Sequence, residues 1–256
     1  MKEEFVLALL GTGGVFALNP DDIEGRRMTP AEAVAIFSHF GAFWQYEGDP
    51  CATNPHALLK SGLHSNGFIV CKDFLKYPKI CELFAHEMLK TLIEKLSAKD
   101  FEKIGVVASS AYSAINLGWE IARLLSARGL KGMEYVPVEK DEKGNPTKIR
   151  GGIDPNKIVL VINELMTTGT GSTWETKRAV LNCNGDYPPP KIIEPAFVLV
   201  HRSKDLVLAD GSAVQPVFHF DIANFKPEEC PYCKAGSQAI KPKIGNNWQL
   251  LHRILV

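Results

Sequence analysis

A run of threonine and glycine behind an apolar stretch is the segment of this 256-residue chain most capable of chemistry. In residues 157–162, Lys157 is followed by five apolar residues rich in β-branched side chains, which is typical of a strand buried on both faces. A strand that delivers a Thr/Gly loop to a helix start lets backbone N–H groups and hydroxyls converge on an anion, where the helix dipole also favours negative charge. The segment predicts a phosphate cradle, with a glycine-rich turn that binds nothing as the alternative. The loop residues are Thr167, Thr168, Gly169, Thr170 and Gly171.

Three other polar segments come in an order that suits a phosphate site. Residues 60–72 begin with Lys-Ser-Gly, and residues 108–115 form a small polar turn behind a short apolar stretch. Residues 139–152 form a longer polar segment with several lysines. Such a segment is suited to closing over a reactive intermediate and excluding water, and a solvated surface loop is the alternative.

Residues 159–171 resemble the PRPP-binding motif of type I phosphoribosyltransferases, in which four apolar residues precede two acidic residues, two apolar ones and a Thr/Gly loop. Residues 60–72 are similar to the Lys-Ser-Gly-x-x-Ser stretch near the start of orotate phosphoribosyltransferases. Residues 108–115 resemble the pyrophosphate loop of this family, and residues 139–145 its mobile catalytic loop. The resemblance covers roughly residues 58–225.

The resemblance implies transfer of phosphoribose from PRPP to orotate or a related base, with release of pyrophosphate. It also implies Mg²⁺ carried by PRPP without a confident protein ligand, and a homodimer. Lysines and Mg²⁺ would stabilise the charge of the departing pyrophosphate. The implied catalytic residues are Lys140, Lys143 and Glu164. The implied substrate-binding residues are Lys60 for pyrophosphate, Phe68 and Ile69 beside the base, Ala111 and Tyr112 in the pyrophosphate loop, Asn163 near the ribose, and the five loop residues for the 5′-phosphate.

The same segments depart from the family pattern at six positions. Asn163 and Glu164 stand where the family has two acids, usually Asp-Asp or Glu-Asp. The other departures are Ser113, Ala114, Glu139 and Asn145. These changes leave two alternatives open: a weak or inactive protein that binds PRPP or a nucleotide, and a transferase for another base. If Asn163 limits the chemistry, Asn163→Asp is expected to raise kcat with little effect on phosphate affinity.

The elements that must position these residues alternate along the chain. Apolar periodicity predicts helices near residues 30–42, 77–96, 114–128 and 173–181, and strands at 104–108, 134–138, 157–162, 192–201 and 214–220. This alternation predicts an α/β fold with a mainly parallel, doubly wound sheet and a small hood. We divide the chain into an N-terminal region and hood (1–76), a phosphoribosyltransferase-like core (77–225) and a C-terminal segment (226–256).

Net charge, the apolar stretch near the start and the cysteine pattern bear on the partners, the location and the metal sites to be expected. Twenty-nine basic and 29 acidic residues give a formal net charge of zero, so no general attraction to nucleic acid or to a membrane surface is expected. The apolar stretch near the start is short and broken by glycine, and it lacks a basic start, which favours the cytoplasm. Cys230 and Cys233 form a lone CxxC. A zinc site would need two more ligands, for which Cys51 and His56 are the sequence candidates, and a docked turn without metal is the alternative. His64 is expected to be structural.

Overall fold

A computed structural model describes residues 1–142, 146–202 and 204–253. The helices are α1 (Glu3–Gly11), α2 (Pro30–His39), α3 (Cys71–Leu75), α4 (Pro78–Lys95), α5 (Ala98–Phe101), α6 (Ile115–Ala127), α7 (Ser172–Leu181), α8 (Pro231–Lys234) and α9 (Asn247–Leu251), with short 3₁₀ turns at Gly14–Ala17, Pro20–Ile23 and Pro227–Glu229. The strands are β1 (Phe43–Gln45), β2 (His56–Leu58), β3 (His64–Ser65), β4 (Gly67–Ile69), β5 (Ile104–Ser110), β6 (Glu134–Lys140), β7 (Pro146–Lys148), β8 (Ile158–Met166), β9 (Lys191–Ile192), β10 (Ala196–His201), β11 (Val214–His219), β12 (Asn224–Phe225) and β13 (Ala239–Ile240).

The central sheet has the strand order β11-β10-β8-β5-β6-β7, and β9 extends the pairing along β8. All of its pairs are parallel except β6 with β7. Alternate residues of β8 face opposite cores, because Leu160 packs with α4 and α6 whereas Val161 packs with α7. Apolar cores on both faces explain the unbroken β-branched run, and the predicted doubly wound α/β fold is confirmed.

The helix ends follow the local sequence signals. Thr29 caps α2: its side chain accepts from the Glu32 N–H, and the Glu32 carboxylate accepts from the Thr29 N–H. Pro30 occupies the first helical position, where its missing N–H costs nothing. The four helices and the other predicted strands lie within a few residues of their predicted places.

Two predicted segments differ from the observed elements. The strand expected at residues 192–201 is split into β9 and β10, because Pro195 in the gap has no N–H to give to the sheet. The polar segment 139–152 includes β7, which pairs antiparallel with the end of β6. Its polar composition hides this strand, since a short edge strand needs no apolar alternation.

The C-terminal segment packs against the N-terminal region. Strand β13 runs parallel to β2, in a small sheet of order β12-β3-β2-β13. The indole N–H of Trp44 donates to the Leu251 carbonyl over 2.7 Å, and that of Trp248 donates to the Gly41 carbonyl over 2.9 Å. The division at residues 76 and 225 stays a prediction. Among the described helices, none combines the length and the apolar character needed to cross a membrane.

Candidate active site

The predicted chemistry gathers at one edge of the central sheet. Strands β5, β6, β8 and β10 are mutually parallel, so their carboxyl ends meet at the same edge. Lys140 ends β6, Glu164 lies near the end of β8, and Arg202 directly follows β10. This edge is where open α/β sheets bind ligands.

The Thr/Gly loop connects β8 to the first turn of α7. The Gly169 carbonyl accepts from the Ala209 N–H over 3.0 Å, which fastens the middle of the loop to residues 207–209. Gly171 is the N-cap of α7, and the first amides of a helix have no intrahelical acceptor. The loop therefore offers hydroxyls and backbone donors where the helix dipole favours an anion.

Asn163 is fully buried, and its side chain is held by the protein itself. Its Oδ1 accepts from the Ser110 hydroxyl over 2.8 Å, and its Nδ2 donates to the hydroxyls of Ser172 and Thr173 over 2.8 and 3.0 Å. The amide therefore links β5, β8 and the start of α7. Asn163 therefore holds the start of α7, directly after the loop, against the two strands.

These contacts change what is expected of Asn163→Asp. The aspartate loses both N–H donors and places a second carboxylate beside Glu164, where burial and like charge oppose ionisation. We expect the variant to lose about 2 kcal/mol of unfolding free energy, with no gain in kcat. Chemical denaturation would measure the loss, and Asn246→Asp on the exposed N-cap of α9 is the matched control. An equally stable and faster variant would restore the expectation drawn from the sequence.

Glu164 carries a carboxylate with an unsatisfied oxygen. Its Oε2 is buried and has no hydrogen-bond partner within the described ranges. Burial raises the pKa of Glu164, although Lys140 and Lys243 oppose the shift. An orphaned acceptor at the ligand-binding edge is an oxygen that a ligand hydroxyl or a cation can satisfy.

The replacement Glu164→Gln is expected to stabilise the fold at neutral pH by about 1 kcal/mol, because it removes a buried charge. The pKa of Glu164 is higher in the folded state than its ordinary value of 4.5 in the unfolded chain. Its contribution to the stability of the fold is therefore fully present below pH 4.5 and is lost as the pH rises through the folded pKa. The gain in the variant should therefore shrink towards zero below that ordinary value. Unfolding curves from acidic to neutral pH measure it, and a gain that does not vary with pH would contradict the assignment.

Lys140 and Lys243 interact electrostatically with this carboxylate. Burial lowers the pKa of Lys140, with Lys60 and Lys243 adding to the decrease and Glu164 opposing it. The site thus brings one cation from β6 and one from the C-terminal segment near Glu164, and Lys60 of the N-terminal region near Lys140. Lys243 was missed because no local pattern marks it. Lys143 lies outside the described residues.

The pyrophosphate-loop residues lie at the end of β5. The Ala111 N–H donates to the Val138 carbonyl over 2.9 Å, and the peptide bond between Ala111 and Tyr112 is cis. The Tyr112 side chain is 75% exposed, and the Lys140 ammonium lies 5.7 Å from its ring centroid. Both residues therefore border the same open edge as Lys140.

The residues expected beside the base are separated by the pleat of β4. Phe68 lies under two cations: the Arg202 guanidinium is 5.4 Å and the Lys243 ammonium 5.7 Å from its ring centroid. Ile69 is buried in the core, because successive residues of a strand point to opposite faces. The structure thus brings Phe68 to the site and leaves Ile69 behind it.

Arg202 is the main functional candidate that sequence reasoning missed. Its Nη1 donates to the Gly67 carbonyl over 2.7 Å, and its Nε donates to the Thr167 hydroxyl over 3.1 Å. Burial lowers its pKa to about 10, which leaves the guanidinium charged at neutral pH. Among the described residues no acidic side chain pairs with it. Its position directly after a predicted buried strand was a usable signal.

The parallel sheet, with its anion loop and cations at the carboxyl edge, defines a type I phosphoribosyltransferase. The chain is 33% identical over 216 residues to the orotate phosphoribosyltransferase of Pelotomaculum thermopropionicum, covering 84% of this chain and 97% of that one. It therefore belongs to the orotate phosphoribosyltransferase family.

A second relative agrees with this family, and a solved structure agrees with the fold. The orotate phosphoribosyltransferase of Caldanaerobacter subterraneus is 31% identical over 189 residues, or 73% of this chain and 87% of that one. The structure of Leishmania donovani UMP synthase superposes with a TM-score of 0.52 at 18% identity, covering 75% of this chain and 37% of that longer chain, and so supports the fold. No protein-family model matches the chain.

Proposed function

We propose that this protein transfers phosphoribose from PRPP to orotate and releases pyrophosphate. The observation that carries the proposal is the pair formed by Arg202 and Phe68 beside the Thr/Gly loop. An aromatic face with a buried guanidinium suits a flat ring that bears a carboxylate. Because Arg202 contacts Thr167 of the loop, a base bound by Arg202 would lie next to a sugar phosphate bound by the loop.

The Thr/Gly loop would hold the 5′-phosphate of PRPP. Thr167, Thr168 and Thr170 offer hydroxyls, and the helix start adds backbone donors. Gly169 keeps the loop close to residues 207–209. Binding at this end fixes the ribose above the end of β8, so the sugar lies near Glu164.

The lysines would hold the diphosphate at the other end of PRPP. Lys60, Lys140 and Lys143 would supply positive charge. The bound diphosphate would offset the repulsion between these lysines. The orphaned Oε2 of Glu164 is a ligand of the kind that Mg²⁺ prefers, so the site fits the ion that PRPP carries. That Mg²⁺ would neutralise charge on the leaving group.

In the reaction the bond between C1′ and the diphosphate oxygen breaks, and its electron pair leaves with pyrophosphate. The ring nitrogen of orotate forms the new bond to C1′, and its proton passes to the departing pyrophosphate. Positive charge develops on the ribose between these events, and the Glu164 carboxylate stabilises it and accepts from a ribose hydroxyl. Lysines on the departing diphosphate favour the same transition state.

Pyrophosphate release with a set of bases tests this proposal. The protein would be mixed with PRPP and Mg²⁺, and with orotate, uracil, adenine or no base. Release that depends on orotate is expected, and uracil should be much poorer because it lacks the carboxylate that Arg202 binds. Equal rates with uracil, or tight PRPP binding without release, would contradict the proposal.

We also propose a homodimer located in the cytoplasm, with no nucleic-acid or membrane partner. In the family the mobile loop is often lent across the subunit interface, and the equivalent segment here begins at the end of β6. Sedimentation equilibrium would test the dimer, and a monomer at assay concentration would contradict it.

A further inference from the structure

Four potential metal ligands meet where the C-terminal segment packs on the N-terminal region. His56 lies on β2, His64 lies on β3, and Cys230 and Cys233 flank the start of α8. One ligand atom from each residue lies within 4.8 Å of those of the other three. The histidine pair and the cysteine pair are separated by more than 160 positions in the chain. The fold alone therefore brings the two pairs together.

The spacing of the ligand atoms matches a tetrahedral site. The Nε2 of His56 is 3.5 Å from the Cys230 sulfur and 3.6 Å from the Cys233 sulfur, and the Nδ1 of His64 is 3.2 Å from the Cys233 sulfur. The two imidazole nitrogens are 3.0 Å apart. Zinc bonds of ordinary length at tetrahedral angles give edges of about 3.3–3.8 Å. One ion at the centre would therefore reach all four atoms with small movements.

The surroundings of His56 orient it for a metal. Its Nδ1 lies 2.8 Å from the Ser237 hydroxyl, which in turn donates to the Asn54 carbonyl over 2.5 Å. Because the serine proton is used on Asn54, the histidine Nδ1–H donates to the serine oxygen, and the Nε2 lone pair points to the cysteines. Metal-bound histidines have this kind of second hydrogen bond. Tyr232 stacks on the His56 ring, with centroids 5.4 Å apart.

We propose that His56, His64, Cys230 and Cys233 form a structural Zn²⁺ site. Two thiolates and two neutral imidazoles balance the charge of Zn²⁺, so the cluster carries no net charge although His56, His64 and Cys230 are buried. Binding releases the two thiol protons. Four protein ligands leave no open position, which is the pattern of a structural rather than a catalytic zinc. The ligand Cys51 considered from the sequence is not part of it, because its sulfur lies by Tyr46 and Thr53.

The site connects the two parts of the chain that frame the base pocket. β2 and β3 lie in the region that presents Phe68, and the C-terminal segment after Cys233 brings Lys243 and Trp248 to the same ring. Zinc would therefore hold the C-terminal segment in place over Phe68. None of the four ligands is assigned a part in the reaction, so metal content is a readout independent of turnover.

Metal analysis of the full chain tests the proposal. Protein purified without chelator is expected to hold about one zinc per chain. Cys230→Ser and Cys233→Ser should each lose most of it, whereas Cys51→Ser, a nearby cysteine outside the cluster, should keep it. Wild-type protein without zinc even after incubation with Zn²⁺, or full zinc in Cys233→Ser, would overturn the site.

Cobalt titration covers the case in which the cysteine variants do not fold. Co²⁺ added to metal-free protein should give the visible bands of a tetrahedral complex and a thiolate-to-cobalt charge-transfer band. Ser237→Ala leaves all four ligands and should weaken Co²⁺ binding by about 10- to 100-fold. An octahedral spectrum, or no thiolate band, would contradict a Cys₂His₂ site.

Discussion

Replacing Arg202 by alanine is expected to lower kcat/KM for orotate by about 100- to 1,000-fold, because the base loses a buried charged partner. The effect on PRPP affinity should be smaller than about tenfold, since the one hydrogen bond from Arg202 to the loop within the described part of the chain goes to Thr167. Initial rates with orotate varied, together with PRPP titration of the free protein, measure both quantities.

Two further variants separate the role of Arg202 from a general loss of structure. Arg202→Lys keeps the charge but loses the planar fork, so an intermediate rate is expected. Arg178→Ala, on the exposed side of α7 and paired with Glu175, should behave like the wild type. An Arg202→Ala enzyme that retains full kcat/KM for orotate would remove the base-binding role.

Placing a methyl group on Gly169 is expected to weaken PRPP binding by about 100-fold and to cost about 2 kcal/mol of unfolding free energy. A Cβ at this position would collide with the Val207 carbonyl oxygen and lie 3.3 Å from the Leu208 Cα. Both neighbours are backbone, so the loop itself must move. Calorimetric titration with PRPP and chemical denaturation would measure the two effects.

Gly171→Ala is the matched control for the loop. Its Cβ would make only ordinary contacts, with the Thr168 carbonyl oxygen and hydroxyl 3.6 Å away. Stability close to that of the wild type is therefore expected. If Gly169→Ala and Gly171→Ala destabilise the protein equally, close packing against residues 207–209 does not explain the loop's shape.

The strands of the sheet and its helices can be predicted from local sequence, because the burial of an element determines which of its neighbouring residues must be apolar. The apolar run at 158–162 can be interpreted without knowledge of the rest of the fold, since a short run rich in β-branched residues is typical of a strand covered on both faces. The Thr/Gly loop and its place at the carboxyl edge follow from the same strand. The position of the loop was therefore predictable, and its binding of phosphate stays a prediction.

The rest of the site depends on contacts between distant parts of the chain. Arg202 can be recognised as a site residue only once β4 is seen to place Phe68 beside it. Lys243 can be recognised only once the C-terminal segment is seen to pack on the N-terminal region. His64 meets Cys233 for the same reason. The position of Asn163 in the motif suggested contact with the ribose. The structure buries its side chain among Ser110, Ser172 and Thr173, which the sequence does not reveal.

The most direct test of the central claim is to measure the products formed from PRPP, Mg²⁺ and orotate. Chromatography would quantify orotidine 5′-monophosphate, with pyrophosphate determined in the same sample. The account predicts that both accumulate in equal amounts and that neither forms without orotate. Pyrophosphate without nucleotide, or neither product in the presence of bound PRPP, would contradict it.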